Sequence, residues 1–90
     1  LGLYKEAIAA GAEGLQLQRS LLEADPGYGH GLASLFEGLV QLGYAYEKAG
    51  QLRKACDHYR EARQLYQAKL QKVRVEPEQV KQLDNAPPQC

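Results

Sequence analysis

The chain has 90 residues, with 11 Lys and Arg side chains against 11 Asp and Glu side chains, so its formal net charge is zero. This length allows one small domain and excludes a multi-domain enzyme. Hydrophobic residues make up 44% of the chain and charged residues 24%, which is a globular composition that excludes wholesale disorder. No apolar run approaches the roughly 20 residues that cross a bilayer, and we read no signal peptide at the start. We therefore expect no membrane segment.

The first predicted element is a helix over residues 3–24, and it carries two apolar rows at helical spacing. A helix with two such rows buries both of them only when neighbours pack on two sides, so we expect it to be sandwiched between other helices. The first row consists of Leu3, Ala7, Ala10, Gly14, Leu17 and Leu21, and the second row consists of Ile8, Ala12, Leu15 and Leu22.

The second predicted helix covers residues 28–49. Its start is marked by Asp25, which can accept hydrogen bonds from free backbone amides, and by Pro26, which suits a first helical turn. Its end is marked by Gly50, because glycine enters the left-handed region without steric penalty. The apolar stripe of this helix consists of Leu32, Leu35, Phe36, Leu39, Leu42, Gly43 and Tyr46.

The third predicted helix covers residues 51–74. A short capping helix over 76–84 and a flexible tail over 85–90 are expected to follow it, because the apolar signal weakens after Val75. No segment alternates with a period of two for long enough to form a strand, so we predict an all-α chain. The stripe of the third helix consists of Leu52, Ala55, Tyr59, Ala62, Tyr66, Leu70 and Val73.

The chain contains an internal echo. The segment Gly2-Leu-Tyr-Lys-Glu-Ala7 aligns with Gly50-Gln-Leu-Arg-Lys-Ala55 at an offset of 48 residues, with a glycine, a basic residue and an alanine in common. A helix of similar length follows each copy. A helical repeat buries its faces only against stacked neighbours, so this echo predicts a repeat architecture.

The residues of the second and third helices resemble the tetratricopeptide repeat (TPR) signature. The resemblance lies in Leu39-x-x-Leu42-Gly43-x-x-Tyr46, followed by Gly50, Ala55, Tyr59 and Ala62. It implies antiparallel helix hairpins over residues 1–75, forming an α-solenoid fragment of three long helices with a weak C-terminal cap. The 48-residue spacing is similar to the long-repeat variety of the family. The fading pattern after residue 75 suggests the C-terminal part of an array.

The resemblance implies a non-catalytic scaffold that binds a peptide or helix of a partner protein. In such arrays the first helix of each pair lines the groove, which here is helix 28–49. A self-associating structural segment of a larger signalling protein, such as a bacterial kinase with a TPR array, is the alternative. The surface of helix 28–49 that would line the groove is mildly acidic and partly apolar, and it suits a partner with some basic character. The predicted groove residues are Glu37, Val40, Gln41, Tyr44, Glu47 and Lys48.

Residues 51–75 carry seven basic and two acidic side chains, whereas residues 1–50 carry three basic and six acidic ones. Such a basic helix can meet nucleic acid or an anionic surface. However, its charges surround the helix and do not form one stripe, which favours a solvated face that interacts with the acidic half of the chain. A nucleic-acid or anionic-surface binder therefore stays as the weaker alternative.

The sequence offers no catalytic or metal-binding constellation. The two cysteines, Cys56 and Cys90, are too few for a disulfide framework, and we expect both to be free in a reducing cytoplasm. Cys56 and His58 stand two apart on a helix, so their side chains point to different faces. His30 and His58 are isolated, whereas a metal site needs three or four convergent ligands. We expect no enzyme activity, no cofactor and no metal.

Overall fold

The computed structural model describes residues 2–27, 29–70, 77–87 and 90 of the chain. Within these ranges the protein is all-helical, with no β-strand, which confirms the predicted all-α class. Its four helices are α1 (Gly2–Ala24), α2 (Gly29–Lys48), α3 (Leu52–Lys69) and α4 (Pro77–Asp84).

Helix α2 is the centre of the fold. It packs against α1 on one side and α3 on another, while the short α4 contacts both α2 and α3. Gly38 on α2 lies near Leu15 on α1, and Gly11 on α1 lies near Leu42 on α2, so these two helices run antiparallel. Because α2 has three helical neighbours, its buried surface is wider than a single stripe.

The turn between α2 and α3 ends on a glycine, as the sequence predicts. Gly50 has φ +83°. Its N–H donates to the carbonyl of Glu47 at 3.1 Å, and the N–H of Gln51 donates to the carbonyl of Tyr46 at 2.9 Å. These two bonds satisfy carbonyls at the end of α2 that lack partners within the helix. The left-handed turn therefore starts α3 directly beside α2.

The hydrophobic core joins all four helices. Phe36, Leu39 and Val40 of α2 are completely buried, and Tyr59 of α3 is 1% exposed. The rings of Phe36 and Tyr66 lie 5.5 Å apart between their centroids, which is within the range of favourable aromatic pairs. The other buried core residues are Leu15, Leu35, Leu42, Ala55, Ala62, Leu70 and Leu83.

Helix α1 is packed on one side only. Leu15 is buried, and Ile8 and Leu22 pack partly against the core, so most of the second predicted row does face α2. The three leucines of the first row are exposed: Leu3 is 76% exposed, Leu17 59% and Leu21 53%. The prediction that α1 is sandwiched between two neighbours is therefore wrong for the described chain, since α2, not α1, is the helix with neighbours on several sides.

Helix α3 ends earlier than predicted. The sequence pattern places its end near Arg74, but the helix ends at Lys69 and Leu70 forms its C-cap, with ψ 7°. Leu70 is 1% exposed, so leaving the helix at this point carries its side chain into the core. Residues 71–76 lie outside the described part. Helix α4 then occupies most of the region where a short capping helix was predicted.

Cys56 and Cys90 form a disulfide bond, with their Cα atoms 5.0 Å apart. The prediction of two free cysteines is therefore wrong. Residue 90 was also placed in the flexible tail over 85–90, yet it is bonded to α3, and Ala86 packs against the core. Residues 88 and 89 of that predicted tail are not among the described residues. The cause is the return of α4 over α2 and α3, which brings position 90 to α3.

Candidate binding surfaces

The six residues predicted to line one groove do not lie on one surface. Glu37 and Gln41 face a groove between α1 and α2, which we call the α1/α2 groove. Tyr44, Glu47 and Lys48 face a different concavity between α2 and α4, which we call the α2/α4 pocket. The sixth residue belongs to the core and faces neither.

Val40 is the predicted groove residue that the structure contradicts, because its side chain is completely buried. It was assigned to the surface since it lies one position beyond Leu39 in the single apolar stripe read from the sequence. The packing of three helices around α2 widens the buried face to include both Leu39 and Val40. Val40 therefore stabilises the core and is unavailable to a partner.

The α1/α2 groove is an open concavity of about 540 Å³. Small residues let the two helices approach closely at its base. A Cβ added to Gly11 would lie 3.0 Å from Cδ1 of Leu42, and a Cβ added to Gly38 would lie 3.7 Å from Cδ1 of Leu15. The groove is lined by Ala7, Ala10, Gly11, Gly14, Leu15 and Gln18 of α1 and by Ser34, Glu37, Gly38, Gln41, Leu42 and Ala45 of α2.

The polar side chains of this groove are few and come mostly from α2. The side-chain amide of Gln41 donates a hydrogen bond to Oε1 of Glu37 at 3.3 Å. This bond orients the Glu37 carboxylate along the α2 wall, where a basic or amide group of a bound helix could reach it. The opposite wall consists of alanine and glycine together with Leu15 and one polar residue, Gln18, so the groove is mostly apolar on one side and mildly acidic on the other.

One set of groove residues was assigned to another role by the sequence. Ala7, Ala10 and Gly14 were read as packed against a neighbouring helix, but they are exposed and line the α1/α2 groove. Leu3, Leu17 and Leu21 continue the same row beyond the groove lining. The signal that could have identified this surface is the presence of two apolar rows on α1, of which α2 covers only one.

The α2/α4 pocket has a volume of about 430 Å³ and mixed charge. Tyr44 and Lys48 interact on its α2 side, with Nζ of Lys48 5.2 Å from the centroid of the Tyr44 ring. The hydroxyl of Tyr59 donates a 2.8 Å hydrogen bond to Oε1 of Glu47. Sequence reasoning missed the α4 side because it treated α4 only as a cap. That side consists of Glu78, Lys81, Gln82 and Asn85.

Burial raises the pKa of the Tyr59 hydroxyl above its ordinary value, and the hydrogen bond to Glu47 raises it further. A phenol with a raised pKa stays protonated and acts as a donor, not as a base. The pair therefore holds the Glu47 carboxylate in place at the wall of the α2/α4 pocket, and leaves Lys48 and Tyr44 as the groups that a ligand would meet there.

The cysteine and histidine candidates have structural partners. Cys56 is bonded to Cys90, so it offers no thiol. Nδ1 of His58 lies 2.7 Å from the carbonyl oxygen of Lys54, and its ring lies 5.1 Å from the Tyr46 ring between centroids. Among the residues that the structure describes, no three His, Cys, Asp or Glu side chains converge as a metal site would require.

Several charges of the basic helix α3 are engaged within the chain. Arg19 of α1 makes a bidentate contact with Glu61 of α3, at 2.9 Å and 2.7 Å. Nη1 of Arg60 lies 3.4 Å from Oδ1 of Asp57 on the same helix, so these two opposite charges partly neutralise each other. Lys72 and Arg74, which contribute to the predicted basic segment, lie outside the described residues.

Two further findings concern membrane crossing and similarity to known proteins. Among the four described helices, none combines the length and the apolar character that a membrane crossing requires. Comparisons with protein-family models, with curated proteins and with solved structures find no match to this chain. The function is therefore inferred from the two concave surfaces.

Proposed function

We propose that the chain is a non-catalytic protein-interaction module that binds a helical segment of a partner protein in the α1/α2 groove. The observation that carries this proposal is the exposed apolar face of α1 beside an open groove. Leu3, Leu17 and Leu21 are each more than half exposed, and water around such a patch is released when a partner covers it. Monomeric proteins rarely expose large contiguous apolar patches, and these leucines are joined along one face of α1 by Ala7, Ala10 and Gly14.

The dimensions of the groove fit a helix. Its α1 wall runs from Ala7 to Gln18, which is 12 residues or about 18 Å of helix. A bound helix of about three turns would match this length. Ala and Gly on the α1 wall permit backbones to approach closely, and the Glu37 carboxylate on the other wall favours a Lys or Arg on the bound helix.

The repeat architecture belongs to the same proposal. The hairpins formed by α1 with α2 and by α2 with α3, joined to a short final helix, are compatible with a TPR-like fragment of the long-repeat variety. What supports this reading is the TPR-like residue pattern of α2 and α3, together with the close contact that Gly43 makes with Tyr59. A self-associating segment of a larger signalling protein is the alternative form of this proposal.

The disulfide bond bears on the cellular compartment in which the protein works. The cytoplasmic placement rested on two free cysteines, and the structure pairs them. Disulfides persist in oxidising compartments and are rare in a reducing cytoplasm. The bond therefore favours an oxidising compartment for the proposed interaction. The nucleic-acid alternative receives less support, since Asp57 partly neutralises Arg60 on the basic helix α3.

A pair of phenylalanine substitutions tests the groove. Gly14 lines the groove, and a Cβ added there meets no atom within 4 Å, so Gly14→Phe places a ring in the groove without displacing core atoms. Ala12 is exposed on the opposite side of α1, so Ala12→Phe adds the same ring away from the groove.

The probe is a helical peptide selected from a displayed library of three-turn amphipathic sequences, with binding measured by fluorescence anisotropy. We expect Gly14→Phe to weaken binding at least about tenfold and Ala12→Phe to leave it within about twofold. Selected peptides that bind wild type and both variants equally would show that the α1/α2 groove is not the binding surface.

A further inference from the structure

The exposed row of α1 has the spacing of a coiled-coil seam. Its members follow one another at alternating steps of four and three residues, and all six are exposed: Leu3, Ala7, Ala10, Gly14, Leu17 and Leu21. This is the a/d pattern of a heptad repeat carried over three heptads. The row that packs on α2 lies one residue further along the chain, which turns it by about 100° around the helix. Helix α1 therefore presents two seams, of which one is covered and one is open.

The open seam is complementary to itself in the antiparallel direction. When two copies of α1 are laid antiparallel and centred on position 12, Leu3 faces Leu21 of the other copy. In the same arrangement a second pairing places Ala7 opposite Leu17, and the central pairing places Ala10 opposite Gly14. Each a position thus meets a d position, as antiparallel coiled coils require. Two leucines meet at each end, a leucine covers an alanine in the next layer, and small residues meet in the middle, so only the central layers lack a large side chain.

A parallel pairing does not fit the same seam. It would place Ala7 on Ala7, Ala10 on Ala10 and Gly14 on Gly14, which gives three successive layers of small side chains. Such layers leave gaps between helices whose outer leucines hold them apart. The antiparallel arrangement reduces these layers from three to two, because Leu17 of each copy covers Ala7 of the other.

We propose that helix α1 of a second copy of this chain packs antiparallel along this open seam, whose central residues Ala7, Ala10 and Gly14 also line the α1/α2 groove, so that the protein forms a symmetric dimer. This inference rests on the proposed function, since it names the partner of the same groove. The α2 wall supports it: Ser34, Gly38, Gln41 and Ala45 also line the groove, at steps of four, three and four. The two α1–α2 hairpins then meet as a four-helix arrangement related by a two-fold axis.

One charged residue sets the strength of this dimer. Glu13 lies one position from the centre of the pairing and beside the seam, so the two symmetry-related carboxylates approach each other across the axis. Like charges at such a position weaken association. The contact surface is about one helix wide, which is small for a stable interface, so the dimer is expected to be reversible in the micromolar range.

Sedimentation equilibrium over about three decades of concentration, centred on the micromolar range, measures the association directly. We expect Leu17→Lys to weaken dimerisation at least about tenfold, because it places two ammonium groups against apolar seams. Gln16 is exposed on the far side of α1, so Gln16→Lys is the matched control and should change the dissociation constant of the dimer by less than about twofold. Glu13→Gln should strengthen the dimer, whereas Glu23→Gln, also exposed but away from the axis, should not.

Pairing direction is tested with introduced cysteines. Chains carrying Ala10→Cys and chains carrying Gly14→Cys are mixed and mildly oxidised, and cross-links are located by peptide mapping. The antiparallel dimer places position 10 opposite position 14, so a 10–14 cross-link should form in the mixture. A parallel pairing would instead cross-link each variant with itself. That result would overturn the proposal, as would a wild-type chain that stays monomeric across the whole concentration range.

The dimer and the groove function fail in different ways. Suppose that the wild-type protein stays monomeric but binds a selected helical peptide, and that Gly14→Phe abolishes this binding. The groove function is then supported, and a second copy of the chain is excluded as the partner. A protein that dimerises with the expected variant effects, and whose dimerisation competes with the peptide, supports both. Dimerisation unaffected by Leu17→Lys but lost on altering α3 would exclude the α1 seam.

Discussion

The ring of Tyr59 lies against the backbone of Gly43, so closely that a Cβ added to the glycine would fall 3.0 Å from Cδ1 and 3.0 Å from Cε1 of the ring. This contact sets the spacing between α2 and α3 at the centre of the fold. The ring has nowhere to move, since Tyr59 is 1% exposed and its hydroxyl is bonded to Glu47.

Gly43→Ala is therefore expected to destabilise the protein. Alanine gains about 1 kcal/mol over glycine in a helix, but forcing an extra methyl group into a packed core costs about 1–3 kcal/mol. We expect a net loss of about 1 kcal/mol in the free energy of unfolding, measured by urea denaturation. Gly14→Ala is the matched control: the site is open, so the substitution should stabilise the chain by about 0.5–1 kcal/mol. Equal effects of both substitutions would contradict the tight Gly43–Tyr59 contact.

Because of the Tyr59–Glu47 hydrogen bond, we expect the stability of the folded protein to decrease at alkaline pH. The pKa of Tyr59 is raised in the folded protein, so its contribution to stability is fully present below the unfolded pKa of about 10 and is lost as the pH rises beyond it. Tyr59→Phe should cost about 1–2 kcal/mol at neutral pH. Urea denaturation of both proteins from pH 7 to 11 should show this gap shrinking above pH 10. A gap that stays constant over the range would mean that the hydroxyl is not a buried donor.

Removing the disulfide predicts a loss of stability through the unfolded state. The bond joins residues 34 positions apart, and closing a loop of that size stabilises a folded chain by about 4 kcal/mol. Cys56→Ala/Cys90→Ala should lower the free energy of unfolding by about that amount, and reductant should lower it in wild type but not in the double variant. Alkylation of the denatured, unreduced protein tests the bond itself: two modified thiols per chain would show that it does not form.

The Arg19–Glu61 pair predicts a small effect, although its geometry is bidentate. Both side chains are more than 40% exposed, and exposed ion pairs contribute about 0.2–1 kcal/mol. A double-mutant cycle with Arg19→Ala and Glu61→Ala should give a coupling free energy in this range, decreasing as salt is added. A coupling that does not respond to salt would place the pair in a less solvated setting than the structure describes.

The sequence carries enough information for the helices because their apolar spacing and their boundary residues agree. Gly50 marks the end of α2, and the stripe through Phe36 and Leu39 marks its buried face. Asp25 and Pro26 were predicted to begin α2, but they lie in the turn after α1, before α2 begins at Gly29. The same stripe does not reveal how many neighbours α2 has. Val40 was misplaced for this reason, since one helix read alone shows one stripe, while burial depends on helices that arrive later in the chain.

Contacts distant along the chain were not predictable from spacing. The pairing of Cys56 with Cys90 depends on α4 folding back, and no pattern in the intervening residues specifies that direction. The division of the predicted groove has the same cause, because α4 forms the second wall at the Tyr44 end of α2, whereas α1 forms it at the Glu37 end. The open row of α1 was visible in the sequence, but periodicity shows that a helix has two seams without showing which one is filled.

The bond between the sulfur atoms of Cys56 and Cys90 makes the chain between them a closed covalent ring that includes most of α3 and all of α4. One cut by a protease anywhere in this ring leaves both pieces in a single molecule, which separates only after reduction. Mechanical force is also transmitted through the disulfide bond. A pull applied at residue 90 reaches the second turn of α3 through the two sulfur atoms, so α4 bears none of the load until the bond is reduced.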